Sequence, residues 1–180
     1  MDTALDFCLR VVDDRLRCRA PVQPEVMRVP AFSSDDSAEA EDVATVRLML
    51  VEDHSMVTMA LVSAFESVDD IELAGQATSI GEAVEVIEGI RPGVVLLDRR
   101  LPDGDGIDAI AELHRVSPES KVLVFTGVAD REVAERVAEA GGAGLLLKAG
   151  RLEDLLDTIR RVAAGEVFFD VEVPGRPTGR

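Results

Sequence analysis

Tryptophan and tyrosine are absent from this 180-residue chain, and phenylalanine occurs only six times. Any core is therefore built from Val, Leu, Ile and Ala, which carry most of the 47% apolar content. Basic residues are scarce as well. Nineteen Lys and Arg face 35 Asp and Glu, for a net charge of −16, and only Lys121 and Lys148 are lysines. Residues 1–45 hold ten acids and five bases, residues 46–170 hold twenty-four and twelve, and the last ten residues hold one and two. So acidic a chain, with no basic stripe and no aromatic–basic interleaving, repels phosphodiester backbones, and direct nucleic-acid binding is not expected.

Cysteines and long apolar runs are also lacking. Cys8 and Cys18 cannot supply a disulfide framework, and no Cys/His set has zinc spacing. They are expected as free thiols in a reducing compartment. No segment approaches the roughly 20 consecutive apolar residues of a membrane span. The opening Met-Asp-Thr-Ala-Leu-Asp has neither the basic start nor the apolar run of a secretory signal. A cytoplasmic protein without a membrane partner is expected.

The chain divides into three parts. In residues 1–45, Leu5, Cys8, Leu9, Val12 and Leu16 recur at helical spacing, which predicts a short amphipathic helix. Pro21, Pro24, Pro30 and the run SSDDSAEAED then read as a linker too polar to order itself. A start assigned too far upstream is the alternative account of this extension. Residues 46–170 form the folded unit, and residues 171–180, VEVPGRPTGR, read as a tail with no further domain.

Within 46–170, five short apolar runs alternate with five amphipathic stretches. The runs are VRLMLV (46–51), IELAGQA (71–77), VVLL (94–97), KVLVF (121–125) and AGLLLK (143–148). Near-continuous apolar runs suit parallel strands covered on both faces. The helical stripes are Val57-Leu61-Ala64-Phe65-Val68, Ile80-Ala83-Val84-Ile87, Ile107-Ile110-Ala111-Leu113, Val133-Val137-Ala140 and Leu152-Leu155-Leu156-Ile159-Val162. Ser79 and Glu82 have capping-box spacing at the head of the second. Five β-α units predict an α/β doubly wound parallel sheet of flavodoxin-like order 2-1-3-4-5.

Sites in such a sheet form beyond the carboxyl ends of its strands. Those ends carry Glu52 and Asp53, Asp98, Thr126 and Lys148. Clustered carboxylates repel one another and call for a cation, and oxygen donors suit a hard ion such as magnesium. A carboxylate facing a cation, a hydroxyl and an ammonium is arranged to carry phosphate as an acyl phosphate. Each residue alone is unremarkable: an acid after a strand is often a loop residue, a lysine can snorkel, a threonine can cap. Their coincidence at the tips of four converging strands carries the argument.

Residues 46–170 resemble a bacterial response-regulator receiver domain, of the type usually fused to a LuxR-type helix-turn-helix. The resemblance lies in LMLVEDH, VVLLDRRLPDGDGID, VLVFTG and AGGAGLLLKAG. It implies that Asp98 accepts phosphate from a histidine kinase or phosphotransfer protein. It further implies that Glu52, Asp53, Asp98 and the backbone carbonyl of Arg100 hold Mg2+, and that Thr126 and Lys148 contact the phosphoryl oxygens. The domain would signal through protein contacts, a homodimer among them, by movement of the surface at its fourth strand and fourth helix and of the face formed by its fourth helix, fifth strand and fifth helix. It would carry phosphate on itself and would not be an enzyme acting on a separate substrate.

The sequence departs from that family pattern in several places. Leu145 stands where receivers commonly carry Tyr or Phe, and Ala149 where a Pro often follows the lysine. Arg99 and Arg100 follow the acceptor, and Arg100 has the length to reach over a phosphoryl group. No output helix-turn-helix follows. A pseudo-receiver that keeps the fold without the switch is the rival reading, and a small metal-dependent phosphatase lacks a separate general acid and a cap. DGDGID (103–108) fails as a calcium loop, because Ile107, Asp108 and His114 fall at positions needing a ligand, a glycine and a glutamate. It is expected as a turn into the third helix. His54 and His114 have no metal spacing, and His54 is expected as a loop residue.

Overall fold

The computed structural model describes residues 45–171. The helix and linker expected before residue 45, and nearly all of the C-terminal tail, lie outside the described residues. Five helices and a parallel sheet follow the expected alternation: β1 Val46–Val51, α1 Ser55–Phe65, β2 Ile71–Ala77, α2 Ile80–Ile90, β3 Val94–Asp98, α3 Gly106–Val116, β4 Lys121–Thr126, α4 Arg131–Glu139, β5 Gly144–Leu147 and α5 Leu152–Ala163. The strand order is 2-1-3-4-5, as the sequence predicts. None of the helices among the described residues is long and apolar enough to cross a membrane.

Apolar runs form these strands because both faces of the sheet are covered. Leu48, Leu50, Leu96, Leu123 and Phe125 pack with α1 and α5 on one face. Met49, Val51, Leu97, Val124 and Leu145 pack with α2, α3 and α4 on the other. Each buried Leu or Val contributes roughly 1.5–3 kcal/mol, so burial holds the interior strands firmly.

Helix starts follow local chemistry. Ser79 accepts the Glu82 N–H at 3.2 Å, one half of the predicted capping box. Glu82 reaches one residue further back than the box requires, accepting from the backbone N–H and hydroxyl of Thr78 at 2.7 and 2.9 Å. Asp130 caps α4 through the Val133 N–H. Three stripe residues shift: Val68 lies beyond α1, Ala140 lies just beyond α4, and Ala109 is buried where Ala111 is exposed. Periodicity fixes a helix face but cannot choose between two alanines at its margin.

A sixth strand was not legible. β6, Phe168–Phe169, pairs in parallel with β5, placing Phe168 beside Gly144 and Phe169 beside Leu145. A Cβ at Gly144 would stand 2.4 Å from the Phe168 carbonyl oxygen, so glycine there is what lets the added strand approach.

Candidate functional site

The register of the sheet assembles the site. Val51 pairs with Leu97, so Glu52 and Asp98 emerge side by side. Asp98 pairs with Phe125, which puts Thr126 just past it, and Thr126 in turn pairs with Leu147. The Lys148 N–H then donates to the Thr126 carbonyl at 2.7 Å. Glu52, Asp98, Thr126 and Lys148 are all buried, between 2 and 5% exposed. Asp53, one residue beyond Glu52, is exposed.

Lys148 sits between the two buried acids. Its Nζ is 2.6 Å from Glu52 Oε2 and 3.1 Å from Asp98 Oδ1. It also lies 5.6 Å from the centroid of the Phe125 ring. Burial pushes the Glu52 carboxyl above its ordinary value; Lys148 pulls the other way, and the charge of Asp98 adds to the upward push. One ammonium serving two buried carboxylates leaves the site short of positive charge.

His54 contributes more than the sequence suggested. It is a loop residue ahead of α1, as expected. Its N–H and its ring Nδ1 each lie 3.1 Å from Glu52 Oε1, and Nδ1 is 2.9 Å from Asp53 Oδ1. Donor atoms of Glu52, Asp53, His54 and Asp98 all fall within 4.8 Å of one another. Such a donor set, dominated by carboxylate oxygens, fits a hard dication and would relieve the crowding of acids.

Thr126 faces the loop ahead of α4. Its hydroxyl donates to the Val128 carbonyl at 3.2 Å and accepts the Val128 N–H at 3.4 Å. Val128 is one of the few large apolar side chains left exposed among the described residues. The hydroxyl is thus engaged by a surface loop at the rim of the acidic cluster.

After Asp98 the chain forms a small antiparallel hairpin, Arg100–Leu101 against Gly104–Asp105. A Cβ at Gly106 would lie 2.3 Å from the Asp98 carbonyl oxygen, so only glycine lets α3 start this close to the site. Residues 103–108 thus lead into α3, as expected, but as the hairpin's tip and second strand followed by the first residues of the helix. Arg100 is exposed and makes no ion pair among the described residues, whereas its neighbour Arg99 turns to Asp105 at 3.4 Å. Asp105 also caps α3 through the Ile107 N–H and takes Arg136 of α4 at 3.2 Å. Burial raises the Asp105 carboxyl, but the Ile107 N–H, Arg136 and Arg99 together hold it below its ordinary value. Neither Asp103, Asp105 nor Arg136 carried a sequence signal, because acids in turns and arginines on helices are ordinary.

An acidic cluster with one ammonium, a hydroxyl and a glycine-permitted approach, at the strand tips of a 2-1-3-4-5 sheet, defines the receiver class. Residues 48–160 match the response regulator receiver domain family, and the chain belongs to it, as a signalling domain and not a catalytic enzyme. The chain is 33% identical over 135 residues to the transcriptional regulatory protein LiaR of Bacillus subtilis (strain 168), covering 75% of this chain and 64% of that one. It is 30% identical over 129 residues to the response regulator protein VraR of Staphylococcus aureus (strain NCTC 8325 / PS 47), covering 72% and 62%. The match thus spans less than two thirds of either relative's own length. Among solved structures, a two-component response regulator of the LuxR family from Aurantimonas sp. SI85-9A1 aligns with a TM-score of 0.66 at 27% identity, over 72% of this chain and 91% of that one. The signal receiver domain of the putative response regulator NarL from Mycobacterium tuberculosis aligns with a TM-score of 0.64 at 25% identity, over 68% and 98%.

Proposed function

We propose that residues 46–170 are the phosphoacceptor unit of a two-component phosphorelay, and that Asp98 takes a phosphoryl group from a histidine kinase or phosphotransfer protein in the cytoplasm. The observation that carries this reading is Lys148 held between the buried carboxylates of Glu52 and Asp98. A carboxylate oxygen of Asp98 attacks phosphorus and the P–N bond to the donor imidazole breaks. The imidazole nitrogen then recovers a proton from solvent, leaving an acyl phosphate on Asp98.

Glu52, Asp53 and Asp98, with the Arg100 carbonyl, would hold Mg2+, which when bound supplies charge neutralisation at the phosphoryl oxygens. Lys148 neutralises the same oxygens from the other side. Thr126 gives up Val128 and donates its hydroxyl to the new phosphoryl group, which frees the loop ahead of α4. Output passes through protein contacts, including self-association, at α4, β5 and α5 or at α1 and α5. With twenty-four acids against twelve bases, residues 46–170 are unsuited to contacting nucleic acid directly.

The pseudo-receiver is the second reading, favoured by the fully buried Leu145 where an aromatic switch residue is common. Incubation with acetyl phosphate or phosphoramidate and Mg2+, followed by intact mass measurement, separates the two. A single phosphoryl adduct, absent without Mg2+ and in Asp98→Ala, supports the phosphoacceptor. A folded protein that takes no adduct from any donor is a pseudo-receiver.

A further inference from the structure

The hairpin after Asp98 is too small to hold its own shape. It has two residue pairs, Arg100 with Asp105 and Leu101 with Gly104, and an isolated two-stranded hairpin is marginal in water. Its base is fixed by the Gly106 N–H donating to the Arg99 carbonyl at 2.7 Å. Its tip is fixed by Asp103. The two oxygens of that carboxylate accept the Ile80 and Gly81 N–H groups of α2, at 3.0 and 2.9 Å. These are first-turn donors that a helix cannot satisfy internally. The N–H groups of Gly81 and Ile80 hold the Asp103 carboxyl below its ordinary value, so it stays ionised as a two-pronged clamp.

α2 does not need this clamp to begin, since Ser79 already caps it from its own chain. Asp103 is a second, non-local cap, reaching back 22 and 23 residues. The surrounding contacts share its direction. Leu101 is buried in the core cluster against which Ile80 packs, and a Cβ at Gly104 would lie 3.2 Å from Ile80 Cδ1. The hairpin tip is seated on the first turn of α2, with Arg100 between tip and base.

We propose that Asp103 is a positioning residue of the divalent-metal site: by fastening the hairpin to α2 it fixes the Arg100 carbonyl relative to Glu52, Asp53 and Asp98. This rests on the phosphoacceptor reading above. Loss of an outer-shell support of this kind costs roughly 10- to 100-fold in metal affinity.

The test is calorimetric titration of the whole chain with Mg2+, with thermal stability measured in parallel, for wild type, Asp103→Ala, Asp103→Asn and Ser79→Ala. Asp103→Ala should weaken Mg2+ binding by about 10-fold. Asp103→Asn, which keeps one acceptor oxygen, should fall between. Ser79→Ala removes the local cap of the same helix, and should lower the melting temperature without changing Mg2+ affinity. Wild-type affinity in Asp103→Ala would overturn the inference alone, as would a Ser79→Ala that loses as much affinity as Asp103→Ala. A wild-type chain with no saturable Mg2+ binding would overturn the phosphoacceptor reading and this inference with it.

Discussion

Lys148 is the residue on which the site's electrostatics turn, because it is the ammonium within 3.1 Å of both buried acids. Removing one partner of a buried ion pair costs about 3–5 kcal/mol, since the remaining charge stays desolvated. Lys148→Met should therefore destabilise the metal-free protein by about 3 kcal/mol, read as a lower urea midpoint. Lys148→Met combined with Glu52→Gln should recover much of that loss. If the double variant is no more stable than the single one, the acids are not the source of the penalty. Glu52, Asp98, Thr126 and Lys148 were legible in the sequence because each ends an apolar run or follows one directly, and Asp53 because it adjoins Glu52. Asp103 and Asp105 were not, because their partners on α2 and α4 lie 22 to 31 residues away and a carboxylate in a turn announces no partner.

Leu145 and Phe169 pair the fifth strand with a stretch after the fifth helix to which the sequence assigned no element. They are side by side in register, both fully buried, in the cluster beneath α4. Restoring an aromatic by Leu145→Phe should overpack this layer and cost about 1–3 kcal/mol. The exchange Leu145→Phe with Phe169→Leu conserves volume and should return most of the stability, measured by thermal unfolding. Failure of the exchange to recover more than the single substitution would mean that the two side chains do not share one space. The five helices were legible because each spans enough residues for its period to repeat, and the five strands because each is a short apolar run between two such stripes or beside one. β6 was not, because two residues carry no period and its position depends on a glycine at 144 that looks like any loop glycine.

Across the whole molecule, Asp70 and Arg160 join segments 90 residues apart, with Nε–Oδ2 and Nη2–Oδ1 distances of 2.5 and 2.9 Å. Hydrogen bonding from Arg160 holds the Asp70 carboxyl below its ordinary 3.8. A lowered folded-state value means stability that is present above the unfolded value and lost as pH falls through the folded one. Arg160→Gln should thus be less stable than wild type by about 1 kcal/mol at neutral pH, and the gap should close as pH falls below 3.8. A gap independent of pH would assign the loss to packing of the arginine stem. The alternation of apolar runs and amphipathic stripes was sufficient to predict the 2-1-3-4-5 sheet, while long-range pairs of this kind were invisible to it.

The central claim is that Asp98, and no other acid of the cluster, carries the phosphoryl group. Borohydride reduction of the protein after treatment with acetyl phosphate and Mg2+ converts an aspartyl phosphate to homoserine, which peptide mass spectrometry locates by residue. Homoserine is expected at position 98 alone. Homoserine at position 53, or an unreduced Asp98 in a protein that has taken up phosphate, would contradict it.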